Sequence, residues 1–108
     1  GGSFIKLFTA EVPSHKARFE AVHDKLKFFF CDERFVKFDS PDSTYAEFVK
    51  NNFFACLNIA SENVFKIKED STNVDECALD YEQRISSLMN KDNGFDILIL
   101  GAFLLVIA

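Results

Sequence analysis

The chain has no tryptophan, one methionine, two prolines, four glycines and three cysteines in 108 residues. Each scarcity removes a class of protein. Cys31, Cys56 and Cys77 are odd in number and form no Cys-x-x-Cys pair, so neither a zinc knuckle nor a dithiol redox motif is encoded. No Asn-x-Ser/Thr acceptor occurs. Together these point to a reducing, intracellular and cytoplasmic setting. The glycines are Gly1, Gly2, Gly94 and Gly101. The loops between the expected elements therefore lack the glycines of a phosphate-cradling or dinucleotide-binding loop. Positive charge is also in short supply, with 12 basic against 17 acidic residues and a net charge of −5. A general nucleic-acid binder normally has a basic surplus, so no nucleic-acid partner is expected. The longest apolar run, Ile97–Ala108, falls short of the about 20 residues that a membrane span needs. No membrane partner and no signal peptide are expected.

What is present reads as one globular domain over residues 4–108, with Gly1-Gly2-Ser3 as a tag remnant. Apolar residues at 48% and charged residues at 27% are ordinary for a folded domain and exclude wholesale disorder. Phenylalanine is the exception. Fourteen of them exceed what one small core uses, which predicts that some lie at an interface.

Hydrophobic spacing predicts the order of elements. Phe4–Val12 reads as a strand ended by Pro13. Ser14 then caps a helix carrying Phe19, Val22, Leu26, Phe29 and Phe30. Arg34–Phe38 reads as a second strand, closed by the turn cluster Asp39-Ser40-Pro41-Asp42-Ser43. Tyr45, Phe48, Val49, Phe53, Cys56 and Leu57 form the stripe of a second helix. Val64–Lys68 is a third strand. Val74, Cys77, Ala78, Tyr81, Ile85, Leu88 and Met89 define a third helix, which Asn93-Gly94 ends. Phe95–Leu100 reads as a strand buried on both faces, and Phe103–Ile107 as a last one. Strand starts recur about every 30 residues, the size of one βα unit. The expected fold is α/β (or α+β), with about four to five strands and three helices alternating in one small domain.

A ubiquitin-like β-grasp is the alternative. Lys25–Cys31 also alternates as a strand would, and it would pair with Phe35–Phe38 as a hairpin. In that frame Lys25–Phe30, Thr44–Val49 and Val64–Asp70 resemble DIX and PB1 domains. That resemblance implies head-to-tail pairing through oppositely charged faces.

No motif specifies a reaction, so no catalytic, cofactor-binding or metal-ligating residue is assigned and no cofactor is expected. His15 stands at a helix start, and Cys56 and Cys77 lie on apolar stripes. Cys31 is flanked by Asp32 and Glu33. Charge is uneven: residues 14–38 carry a surplus of +2, and residues 39–96 a deficit of −7. A basic face with Lys25, Lys27, Arg34 and Lys37 would meet an acidic face with Glu69, Asp70, Asp75 and Glu76 in another protein or a second copy. The functional expectation is a non-enzymatic protein–protein interaction or self-association scaffold. The alternative is a small Mg²⁺-dependent or phosphate-handling enzyme, or a ligand-binding domain. It would use residues at the strand ends, such as Glu11, Asp39, Asp42, Glu69 and Asp70, because ligands of parallel sheets bind there.

Overall fold

A computed structural model describes residues 3–89 and 94–100. The expected strand Phe103–Ile107 lies outside the described residues. The chain opens with a helix, α1 (Phe4–Glu11), where a strand was expected. The helical period is the better fit: Ile5 and Val12, seven residues apart, are both buried, whereas Leu7 points outward and is 66% exposed. The Thr9 hydroxyl donates back to the Ile5 carbonyl at 2.7 Å, as a helical threonine does. Pro13 opens a 3₁₀ turn (Val12–His15), a place where its missing N–H costs nothing. Ser14 lies inside that turn and caps nothing.

The second helix, α2 (Lys16–Val22), is shorter than expected, and a further 3₁₀ turn (His23–Lys25) follows it. Phe28–Phe29 then forms strand β1. Its partner is β2 (Val64–Phe65), in parallel, with Phe28 opposite Val64 and Phe29 opposite Phe65. The Phe29 and Phe65 rings stack at 4.6 Å. The hairpin on which the β-grasp alternative depends is not formed, because Phe35–Phe38 makes no strand to pair with β1. Arg34–Phe38 is irregular, and Cys77–Tyr81 is helical.

Between the two strands run α3 (Thr44–Lys50) and α4 (Phe53–Cys56). One helix was expected here. The break falls at Asn52, whose φ of 60° is left-handed, a conformation asparagine tolerates better than most residues. The last helix, α5 (Val74–Leu88), matches its periodic signature closely. The Asn73 side chain accepts from the Asp75 and Glu76 amides and caps its first turn.

The result is α/β: five helices and a small parallel sheet among the described residues. Phe95–Leu100, expected to be a buried strand, is irregular and exposed and pairs with no strand among the described residues. The Phe95 ring meets Phe29 edge-on at 5.3 Å. Ile5, Val12, Phe53 and Leu57 form the core. Phe53 is its hub. The rings of Phe8, Phe28, Phe48 and Phe54 lie 4.8–5.8 Å from it, mostly edge to face. The phenylalanine surplus is thus largely consumed in joining α1, β1, α3 and α4.

Candidate functional site

The candidate site lies beyond the carboxyl ends of β1 and β2, where two loops leave the sheet together. The first is Cys31–Ser43. Its anchor is Glu33, whose carboxylate turns back on the start of α3. It accepts the amides of Thr44 at 2.7 Å and Tyr45 at 2.8 Å. It also accepts the amide of its neighbour Arg34 at 2.7 Å. The buried Ser43 hydroxyl completes the joint, accepting from the Ala46 amide at 3.1 Å and donating toward Glu33 at 3.5 Å. A helix leaves its first amides unpaired and carries partial positive charge there, so a carboxylate at this point fixes the loop electrostatically.

With Glu33 locked inward, Arg34 is presented to solvent. Among the described residues its guanidinium meets only Asp32, at 3.9 Å, with both side chains more than 60% exposed. A surface pair of this kind is worth about 0–1 kcal/mol and is easily given up to a better anion. Arg34 is therefore an available planar cation, suited to two-pronged contact with a phosphate or carboxylate.

The second loop, Lys66–Glu69, is tied to the first. The Glu69 carboxylate accepts the Phe38 amide at 2.9 Å, and the Lys37 ammonium donates to the Glu69 carbonyl at 3.4 Å. The Lys66 ammonium sits 4.5 Å over the Tyr45 ring and 5.5 Å over Phe38, and donates to the Tyr45 hydroxyl at 3.3 Å. It is half-buried, a fixed positive charge held by aromatic faces. Behind both loops stands α5. Tyr81 and Arg84 hold the ends of β1 and β2 from below. Burial pushes the Tyr81 phenol above the ordinary tyrosine range, and its bond with the Phe30 amide opposes that shift.

Lys25 and Lys27 lie at the amino end of β1, away from Arg34 and Lys37 at its carboxyl end. Lys37 and Glu69, placed on opposite faces by the charge pattern, meet within one chain. Asp75 and Glu76 sit in the first turn of α5, where acidic residues favour the helix dipole, and Asp70 is exposed in the preceding turn. The expected gathering of strand-end carboxylates does not occur. Glu11 ends α1, and no group of three His, Cys, Asp or Glu side chains among the described residues is arranged to hold a metal ion. His23 lies against the Asn58 carbonyl and His15 is exposed. Among the described residues no helix is long and apolar enough to cross a membrane.

Sequence reasoning missed Glu33, Lys66, Tyr81 and Arg84. The contacts that place them at the site reach partners 11 to 51 residues away, beyond any local pattern. The one available hint was that Tyr81 sits on an apolar stripe with a hydroxyl that must find a partner if buried.

Comparison with known proteins gives this geometry a family. Residues 1–102 match the model for glucosamine-6-phosphate isomerases/6-phosphogluconolactonase, so Gly1-Gly2-Ser3 falls within the matched span. The chain is 36% identical over 101 residues to a probable 6-phosphogluconolactonase of Drosophila melanogaster, covering 94% of this chain and 38% of the fly protein. It is 33% identical over 104 residues to the 6-phosphogluconolactonase of Homo sapiens, covering 94% of this chain and 40% of the human one. A glucosamine-6-phosphate deaminase of Malacoplasma penetrans is 28% identical over 102 residues, again 94% of this chain and 40% of that protein. No solved structure matches the chain. The chain thus spans about two fifths of the length of these relatives. The expectation of a non-enzymatic, self-associating scaffold is overturned by a match to enzymes that runs almost from end to end: the chain belongs to the glucosamine-6-phosphate isomerase/6-phosphogluconolactonase family.

Proposed function

We propose that this chain serves the hydrolysis of a phosphorylated sugar lactone, with the substrate seated across the carboxyl ends of β1 and β2. The observation that carries this reading is Arg34. Its backbone is clamped from behind by Glu33, and its guanidinium is exposed and nearly uncommitted just beyond a parallel strand. That arrangement suits a phosphate group. The relatives favour a lactonase over a deaminase. Identities are 31–36% to the lactonases of fly, human, rat and cattle, and 28% to the deaminase. Lactone opening adds water across an ester and leaves a carboxylate, so negative charge grows during the reaction. Lys66, held by Tyr45 and Phe38, adds a preorganised positive charge near the same edge.

The test is acid release from 6-phosphogluconolactone above the spontaneous rate, by wild-type protein and by Arg34→Ala. A phosphate-binding Arg34 predicts a KM raised at least tenfold for the phosphorylated lactone in the variant. Turnover of unphosphorylated gluconolactone should change by less than twofold. Wild-type protein that never exceeds the spontaneous rate refutes the reading. Ammonia release from glucosamine 6-phosphate would move it to the deaminase branch.

A further inference from the structure

Three side chains on one stripe of α5, at positions i, i+4 and i+7, each reach a main-chain carbonyl of β2 or the loop that follows. The Tyr81 hydroxyl donates to Phe65 at 2.6 Å, Arg84 Nη2 to Lys66 at 2.8 Å, and the Cys77 thiol to Lys68 at 3.8 Å. Tyr81 does one thing more: its oxygen accepts the Phe30 amide of the other strand at 2.9 Å. Phe29 stands opposite Phe65 in the parallel pair, and the Phe30 amide and Phe65 carbonyl lie at the exit of that pair. The Tyr81 hydroxyl bonds both and so bridges the two strands.

We propose that Tyr81 is a positioning residue: its hydroxyl, bridging the Phe30 amide and the Phe65 carbonyl where the two strands end, sets the gap between the carboxyl ends of β1 and β2, and so the spacing of the loops that carry Arg34 and Lys66. The functional half of this inference rests on the lactonase reading; the spacer itself does not. Chain position supports it. Phe30 is followed at once by Cys31–Arg34, and Phe65 by Lys66–Glu69, so any change in this bridge is passed directly to both loops. Arg84 reinforces the same side, since Asp80 orients its guanidinium at 2.9 Å while it holds the Lys66 carbonyl.

The test is Tyr81→Phe, which keeps the ring and removes only the inserted oxygen. The freed amide and carbonyl then close on each other. NMR should show a scalar coupling across a direct Phe30–Phe65 hydrogen bond in the variant, stronger than in the wild type. The Arg34 and Lys66 amide resonances should shift with it. On 6-phosphogluconolactone, kcat/KM per folded molecule should fall at least tenfold, because displacements of about 1 Å cost up to about 100-fold. A coupling that does not strengthen overturns the proposal, and so does a kcat/KM within twofold of wild type. If the wild type proves inactive on the lactone, the lactonase reading fails alone. The coupling and the two loop resonances then decide the spacer by themselves. The unmodified protein gives a check that needs no variant: a hydroxyl held between two main-chain groups has a slowly exchanging proton, and a freely exchanging Tyr81 hydroxyl overturns the inference.

Discussion

Glu33→Ala isolates the joint on which the candidate site hangs. The substitution removes the acceptor for two first-turn amides of α3, Thr44 and Tyr45, and for the Arg34 amide. Losing a side-chain acceptor at a helix start typically costs about 1 kcal/mol per capped terminus, within a range of about 0.5–2. Ser43 still holds the Ala46 amide, so the terminus is weakened rather than stripped. The Arg34 amide is exposed and water replaces its partner at little cost. Two half-buried amides bonded to a full negative charge put the total near the top of the range, about 2 kcal/mol. For a domain of this size that lowers Tm by roughly 8–16 °C. Urea unfolding followed by circular dichroism at 222 nm reads it directly, as a lower midpoint at unchanged slope. Glu33→Gln should recover less than half of the loss, because its amide group faces other donors with N–H. A midpoint for Glu33→Ala equivalent to less than about 0.5 kcal/mol would refute the clamp.

Other outcomes follow from the same contacts. Phe53→Ala should cost about 3–5 kcal/mol, measured by the same unfolding curves, because a fully buried ring with four close aromatic neighbours leaves a cavity. Asn52→Val should cost about 1–2 kcal/mol while Asn52→Gly should be tolerated, since only the backbone conformation at φ 60° is at stake. The Tyr81 phenol has its pKa raised in the folded state by burial, so its contribution is fully present below the unfolded value near 10 and is lost as pH rises through the folded value. Stability measured from pH 9 to 12 should therefore fall less steeply in Tyr81→Phe than in wild type. Thiol labelling should modify exposed Cys31 first and buried Cys77 last, and burial pushes the Cys56 thiol up, so it should react slowly too.

Much of the fold was legible where an element is stabilised by its own residues. α5 repeats its apolar positions at helical spacing over fifteen residues and carries its own cap in Asn73, so its reading survived folding. The start of α3 was readable to within one residue, with Ser43 or Thr44 as its cap, and the structure gives the role to Ser43, which accepts the Ala46 amide. Phe4–Val12 was not. Its apolar residues fit both periods, and only burial of Ile5 and Val12 against Phe53 and Leu57 chose the helix. Phe28–Phe29 was equally open. It became a strand because Val64–Phe65 supplied a parallel partner 36 residues away, an interaction that no local window contains.

The candidate site divides along the same line. Sequence alone determined its ingredients: an acidic chain without glycine loops, a cation-bearing segment around Arg34 and Lys37, and a turn cluster ending at Ser43 before the next helix. It also placed Arg34, Lys37 and Glu69 among the residues to watch, though as two faces meeting across molecules. Only the tertiary structure decided that Glu69 reaches Phe38 and Lys37 within one chain, that Glu33 faces the start of α3, and that Tyr81 joins two strands. Charge and capping preferences belong to single residues and their neighbours, so they can be read along the chain. Which carboxylate meets which amide depends on how the sheet brings distant loops together, and that is settled by burying the phenylalanine cluster.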